Sequence, residues 1–131
     1  MRHSMRMTAA ILAPLVLTLA LSLAACGGGG ATSNVPANQV DMGLSNFVQT
    51  SRMISVGESI HFVDDQGGAT HVLCLGKDGN CDASAKGPQP LTGQGFTIQP
   101  GQAQDVRFDT AGAYAITCPI HPSMNLLVTV Q

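Results

Sequence analysis

Residues 117–124 read TCPIHPSM, which places Cys118, His121 and Met124 at regular three-residue intervals. Together they offer a thiolate, an imidazole and a thioether. Calcium and magnesium take hard oxygen ligands, so this donor set excludes them. Zinc accepts cysteine and histidine, but its sites rarely include methionine. The octapeptide therefore points to a softer transition metal, provided that a further strong ligand arrives from elsewhere in the chain.

Downstream of the N-terminal segment only His61 and His71 can supply it. In the stretch SIHFV, His61 alternates with Ile60 and Phe62, so in a strand it shares the opposite face and is expected at the surface. His71 lies in GGATHVLCL, just after a glycine turn and at the start of an apolar run. A site assembled from loop ends at one pole of a β-domain calls for a ligand at such a position. With His71 the set becomes two histidines, one cysteine and a weak methionine, the arrangement of blue-copper electron-transfer sites. The expected metal ligands are His71, Cys118, His121 and Met124, holding one copper ion that cycles between Cu(I) and Cu(II).

The elements that must position these residues are short. Beyond Gln39 the chain alternates apolar and polar residues in segments broken by glycine, and no stretch has convincing helical periodicity. Strands are expected at 39–44, 47–54, 59–63, 70–75, 95–98, 103–108, 113–118 and 126–131. Turn signals such as VGE at 56–58, DDQGG at 64–68, QPGQ at 99–102 and DTAG at 109–112 separate most of them. About eight short strands imply an all-β sandwich or barrel. Parity in AYAITC puts Tyr114, Ile116 and Cys118 on one face and Ala113, Ala115 and Thr117 on the other. Cys118 is thus expected to point inward at a strand end. Asp64 and Asp65 read as a polar turn, and Met42 and Met53 as packing residues.

Residues 76–93, GKDGNCDASAKGPQPLTG, lack strand character, and 18 irregular residues are long for a small domain. Such an insertion needs a function or a staple. Cys74 and Cys81 flank LGKDGN at its entrance. Pairing them closes an eight-residue loop, worth about 2.5 kcal/mol in the chain-entropy model. This disulfide leaves Cys118 free as a ligand. The alternative, Cys74 with Cys118, would abolish the metal site.

The N-terminus is read as a targeting segment. Arg2 and Arg6 precede an apolar run from Ala9 to Ala25, as in a secretory signal. LAAC at 23–26 resembles the lipobox of bacterial lipoproteins, in which the signal is cut before the cysteine and the cysteine is lipidated. The expected organisation is a signal peptide at 1–25, a lipidated glycine-rich tether at 26–38 starting at Cys26, and a copper-binding domain at 39–131. As a random coil, GGGGATSNVPA would reach roughly 20 Å. Residues 26–131 carry eight acidic and four basic side chains, a formal balance of −4. No basic cluster is present, so nucleic acid is not an expected partner. No catalytic triad order, phosphate loop or carboxylate pair stands out, so no enzyme is expected.

Taken together, residues 39–131 resemble the cupredoxins, small copper proteins with a Greek-key β-sandwich, and among these the amicyanins most closely. The resemblance is carried by VGESIHFV, by the isolated upstream His71, by the G-x-Y-x-x-x-C pattern at 112–118 and by the closing LLVTV. Its most specific part is C-x-x-H-x-x-M with Pro122 directly after the histidine; plastocyanins are longer between histidine and methionine. It implies His71, Cys118 and His121 as strong equatorial ligands and Met124 as the weak axial one. Three departures stand out, one of them the insertion at 76–93 with its disulfide, which is extra to the simplest family members. Val72 occupies the position that usually holds an asparagine in these families, whose side chain helps hold the ligand loop. Pro119 follows the cysteine directly, whereas amicyanins place proline two residues after it. The implied function is one-electron transfer between redox proteins outside the cytoplasm, by a monomer anchored to a bacterial membrane through its lipid. Copper delivery, storage or sensing is the alternative, and a structural lipoprotein with a disulfide-bonded Cys118 the third reading.

Overall fold

In the computed structural model of the chain, the described residues are 35–131 apart from Gln66. The signal at 1–25, the lipidation at Cys26 and most of the tether at 26–38 lie outside them. Nine strands run from Gln39 to Val130: β1 (Gln39–Met42), β2 (Ser51–Ile54), β3 (Ser59–Asp64), β4 (His71–Lys77), β5 (Asn80–Cys81), β6 (Phe96–Ile98), β7 (Ala103–Arg107), β8 (Gly112–Cys118) and β9 (His121–Val130). Among the described residues there is no helix long and apolar enough to cross a membrane.

The strands divide into two sheets. One has the order β1-β3-β7; the other has the order β2-β9-β8-β4-β5, with β6 also paired to β4. β1 runs parallel to β3 and β2 runs parallel to β9, while the other pairs are antiparallel. The chain alternates between the sheets from β1 to β4 and crosses again before and after β7, giving the expected Greek-key sandwich. β1, β3 and β9 bury alternate residues, and Val40, Met42, Ile60, Phe62, Leu73, Ile116, Leu126 and Val128 join one hydrophobic cluster. Burying an aliphatic side chain of this size is worth about 1.5–3 kcal/mol, so this cluster is the main source of stability.

All eight expected strands form, with instructive differences at their ends. The segment 47–54 forms a ladder only from Ser51; Phe47 makes a single bridge to Met42, and residues 43–46 bend between them. The last strand begins at His121, five residues before its expected start, because it pairs with β8 as a tight hairpin. β4 continues to Lys77 and turns back into β5. Asp78 and Gly79 form this turn with φ of +51° and +77°, the left-handed pair that an Asp-Gly hairpin of the primed type requires.

The insertion is thus partly strand. The Cys74–Cys81 disulfide closes its entrance. Farther along, Leu91 is fully buried in the core, and its carbonyl accepts a hydrogen bond from the Leu75 N–H at 2.9 Å. A staple and an apolar anchor together hold the long segment, and the anchor carried no periodic signal because it stands alone among turn residues.

Asp64 corrects the reading of a polar turn. It continues the inward parity of Ile60 and Phe62 as the last residue of β3 and is only 1% exposed. Neither carboxylate oxygen has a hydrogen-bond partner among the described residues. Burial raises its pKa, and the opposing attraction of His71 is the lesser effect. A carboxyl whose folded pKa is raised favours folding at low pH, and that contribution is lost as pH rises through the folded value.

Two outcomes are expected from denaturant unfolding of the metal-free protein. Leu91→Ala should cost about 2–5 kcal/mol, as truncation of a buried leucine does; a loss below about 1 kcal/mol would show that the insertion is not anchored there. Asp64→Asn should gain on wild type as pH rises from acid to pH 8. A variant that loses ground over that range would mean that the ionised carboxylate has a stabilising partner.

Candidate metal centre

β4 and β8 pair antiparallel, with Cys74 opposite Thr117 and Leu75 opposite Ile116. His71 opens β4 and Cys118 ends β8, so antiparallel pairing brings both to the same pole. At Cys118 the chain turns over Pro119 and Ile120 and returns as β9, with His121 opposite Cys118 and a register shift at Thr117/Cys118. The hairpin needs no longer loop. The three-residue spacing places thiol and imidazole on the two sides of one turn.

His71 Nδ1 lies 3.9 Å from Cys118 Sγ, His121 Nδ1 lies 3.8 Å from the same sulfur, and the two nitrogens are 3.2 Å apart. A first-row ion about 2.0–2.1 Å from each nitrogen and about 2.3 Å from the sulfur, near their plane, needs N–S edges of about 3.8 Å and an N–N edge of about 3.1–3.5 Å. The donor triangle has those dimensions. These residues fit a trigonal N₂S ion, and they converge on one point as a group.

Proton positions support the same reading. His71 Nε2 lies 2.9 Å from the Gly43 carbonyl oxygen, which can only accept, so Nε2 carries the hydrogen. In the neutral ring Nδ1 is then bare, and it lies within 3.9 Å of Cys118 Sγ and 3.2 Å of His121 Nδ1 with a lone pair to offer an ion. A backbone carbonyl behind a ligating histidine fixes its tautomer and ring orientation in this way. Burial lowers the His71 pKa and keeps the ring neutral, although the Gly43 bond and Asp64 act in the other direction. Asp64 Oδ1 is 4.0 Å from Nε2, with both side chains fully buried.

The sequence-derived residues fall as follows. His71 and Cys118 are fully buried and His121 is partly exposed. Met124 is buried on the same hairpin, on the inward face it shares with Leu126 and Val128. Cys118 is a free thiol and the disulfide is Cys74–Cys81, which rules out the alternative Cys74–Cys118 pairing. His61 stays apart on β3, its Nδ1 2.6 Å from Asp105 Oδ1. Sequence reasoning missed three contributors. Gly43 acts through its carbonyl and leaves no side-chain signal. Asp64 was legible, since the parity of β3 extends to it. Parity puts Thr117 on the face opposite Cys118, yet it is fully buried.

A direct comparison with curated protein sequences gives no match. Among solved structures, amicyanin from Paracoccus versutus (Thiobacillus versutus) is similar at 22% identity and a TM-score of 0.52, over 75% of this chain and 86% of that one. An oxidised amicyanin variant gives 20% identity and a TM-score of 0.56, over 77% and 88% of the two chains. A reduced amicyanin variant gives 21% identity and a TM-score of 0.53, over 73% and 83%. These likenesses establish the fold. The sequence profile of the copper-binding proteins of the plastocyanin/azurin family matches residues 34–131, which include the whole donor triangle. The chain belongs to the plastocyanin/azurin family of copper-binding proteins, and its cofactor is one copper ion.

Proposed function

We propose that this protein is a one-electron carrier whose copper would be held by His71 Nδ1, Cys118 Sγ and His121 Nδ1, with the Met124 thioether as a weaker fourth donor. The observation that carries this reading is the preformed N₂S triangle, with its edges already at the lengths that an ion requires. Copper supplies a one-electron couple between Cu(I) and Cu(II). The chain supplies rigidity. His71 is fixed by Gly43 behind it, Cys118 by the end of β8, and His121 by the hairpin register, so the donors have little freedom to rearrange when the charge of the centre changes. Burial of His71, Cys118 and Met124 keeps bulk water from the donors and protects the thiol from oxidation.

His121 is the one partly exposed member of the triangle, and its neighbour Ile120 is 51% exposed. An electron entering or leaving by the shortest route would pass the His121 ring edge. The family is one of electron-transfer proteins and not of enzymes, and its members are extracytoplasmic. The Cys74–Cys81 disulfide fits an oxidising compartment. We further read Cys26 as the lipid-bearing residue of a membrane anchor and 26–38 as the tether from which the domain reaches its redox partners.

Cu(II) added to the purified protein should produce an intense blue charge-transfer band and a reversible one-electron wave. Cys118→Ser should abolish the band, whereas His61→Ala should leave it intact. Absence of the band in wild type would overturn the ligand assignment, and a band without a reversible wave would leave copper delivery or storage. Cys26→Ser should move the protein from the membrane fraction to the soluble fraction; persistence in membranes would count against lipidation there.

A further inference from the structure

The ligand hairpin is gripped from outside by the turn that joins β4 to β5. The Gly79 N–H donates to Thr117 Oγ1 at 2.9 Å, and the same hydroxyl donates to the Met124 carbonyl at 3.1 Å. A single buried hydroxyl thereby links the turn to the backbone of the fourth proposed ligand. Beside it, Asn125 Oδ1 accepts the Asp78 N–H at 2.9 Å. Asn125 Nδ2 lies 3.2 Å from Asp78 Oδ1 and 3.3 Å from the carbonyl of Pro122, the residue after His121.

The fit is also steric. A Cβ placed on Gly79 would lie 2.8 Å from Pro122 Cβ and 3.0 Å from its Cα, so the turn rests against the backbone of the ligand hairpin. Gly79 has φ of +77°, and no other residue combines that conformation with this approach without strain. The turn is itself anchored, since the disulfide ties Cys81 at its far end to Cys74, which pairs directly with Thr117 in the sheet. This explains why Thr117 is buried although it points away from the core: Gly79 covers it.

We propose that the disulfide-closed Asp78–Gly79 turn is the positioning element of the copper centre, with Gly79, Thr117 and Asn125 holding the His121–Met124 segment in register. The proposal rests on the reading of His121 and Met124 as ligands. Of its contacts the Thr117 bridge carries the most weight, because its bond to Met124 is buried and a lost partner there is not replaced by water. The Asp78–Asn125 bonds are exposed and contribute less. A mere staple would affect global stability alone. A positioning element acts on the geometry of the ligands.

The test compares Gly79→Ala, Thr117→Val and the Cys74→Ala/Cys81→Ala pair with Leu91→Ala, a core truncation outside both the turn and residues 121–125, all in the full chain. Two readouts are taken: the rate of copper loss to a chromogenic Cu(I) chelator together with the charge-transfer spectrum, and amide hydrogen exchange at residues 121–125 of the metal-free protein. Gly79→Ala and Thr117→Val should each accelerate copper loss and exchange at 121–125 by about tenfold, the factor expected from about 1.4 kcal/mol. Leu91→Ala should change exchange throughout the domain without a selective effect at 121–125 or a new spectrum. Should the disulfide pair fail to fold, the two single variants decide. The proposal is overturned if they retain wild-type rates and spectrum, or if their effects at 121–125 match those of Leu91→Ala. A wild-type protein with no blue band overturns the ligand reading instead, and exchange in the metal-free protein still reports whether the turn holds the hairpin.

Discussion

The antiparallel pairing of β4 with β8 is the contact on which the copper centre depends. It sets the start of one strand beside the end of the other, bringing His71 to Cys118 across 47 positions of sequence. The separation is closed by the two sheets folding over a shared core, and the core of Ile60, Phe62, Leu73 and Ile116 makes that closure favourable. The ligands lie where two strands end together. This leaves their side chains free of the ladder while their backbones remain tied to it.

Around that junction the fold surrounds soft donors with hard constraints. A carbonyl from the β1–β2 connection fixes the tautomer of His71, the β8–β9 hairpin sets the separation of Cys118 and His121, and the β4–β5 turn braces the strand that carries Met124. Three separate loops therefore meet at one pole. Val72 shows the local consequence of this arrangement. Its side chain offers no hydrogen bond, and the hairpin is held through Thr117 and Asn125 from the other side.

Asp64 is the feature that local consistency does not explain. A buried carboxyl with no hydrogen-bond partner among the described residues works against stability, and it sits 4.0 Å from the imidazole Nε2 of His71. Departures of this kind from good packing chemistry gather at functional sites, where electrostatics rather than stability determines which residue is kept.

Much of this was legible in the residues themselves. Cys118, His121 and Met124 are close in sequence, so their spacing alone reveals a soft-metal hairpin. Alternation located eight strands, because a half-buried strand repeats every two residues whatever it pairs with. The odd cysteine among Cys74, Cys81 and Cys118 was found by counting. The tertiary structure decided what depends on distant partners. It settled the burial of Thr117, which parity placed outside and a neighbouring turn covers. It also showed the role of the Gly43 carbonyl and the insertion of Leu91 into the core. The sequence by itself determined the donor types and the inward aim of Cys118. Only the pairing of β4 with β8 could place His71 beside them, because a donor triangle is a property of distances in space.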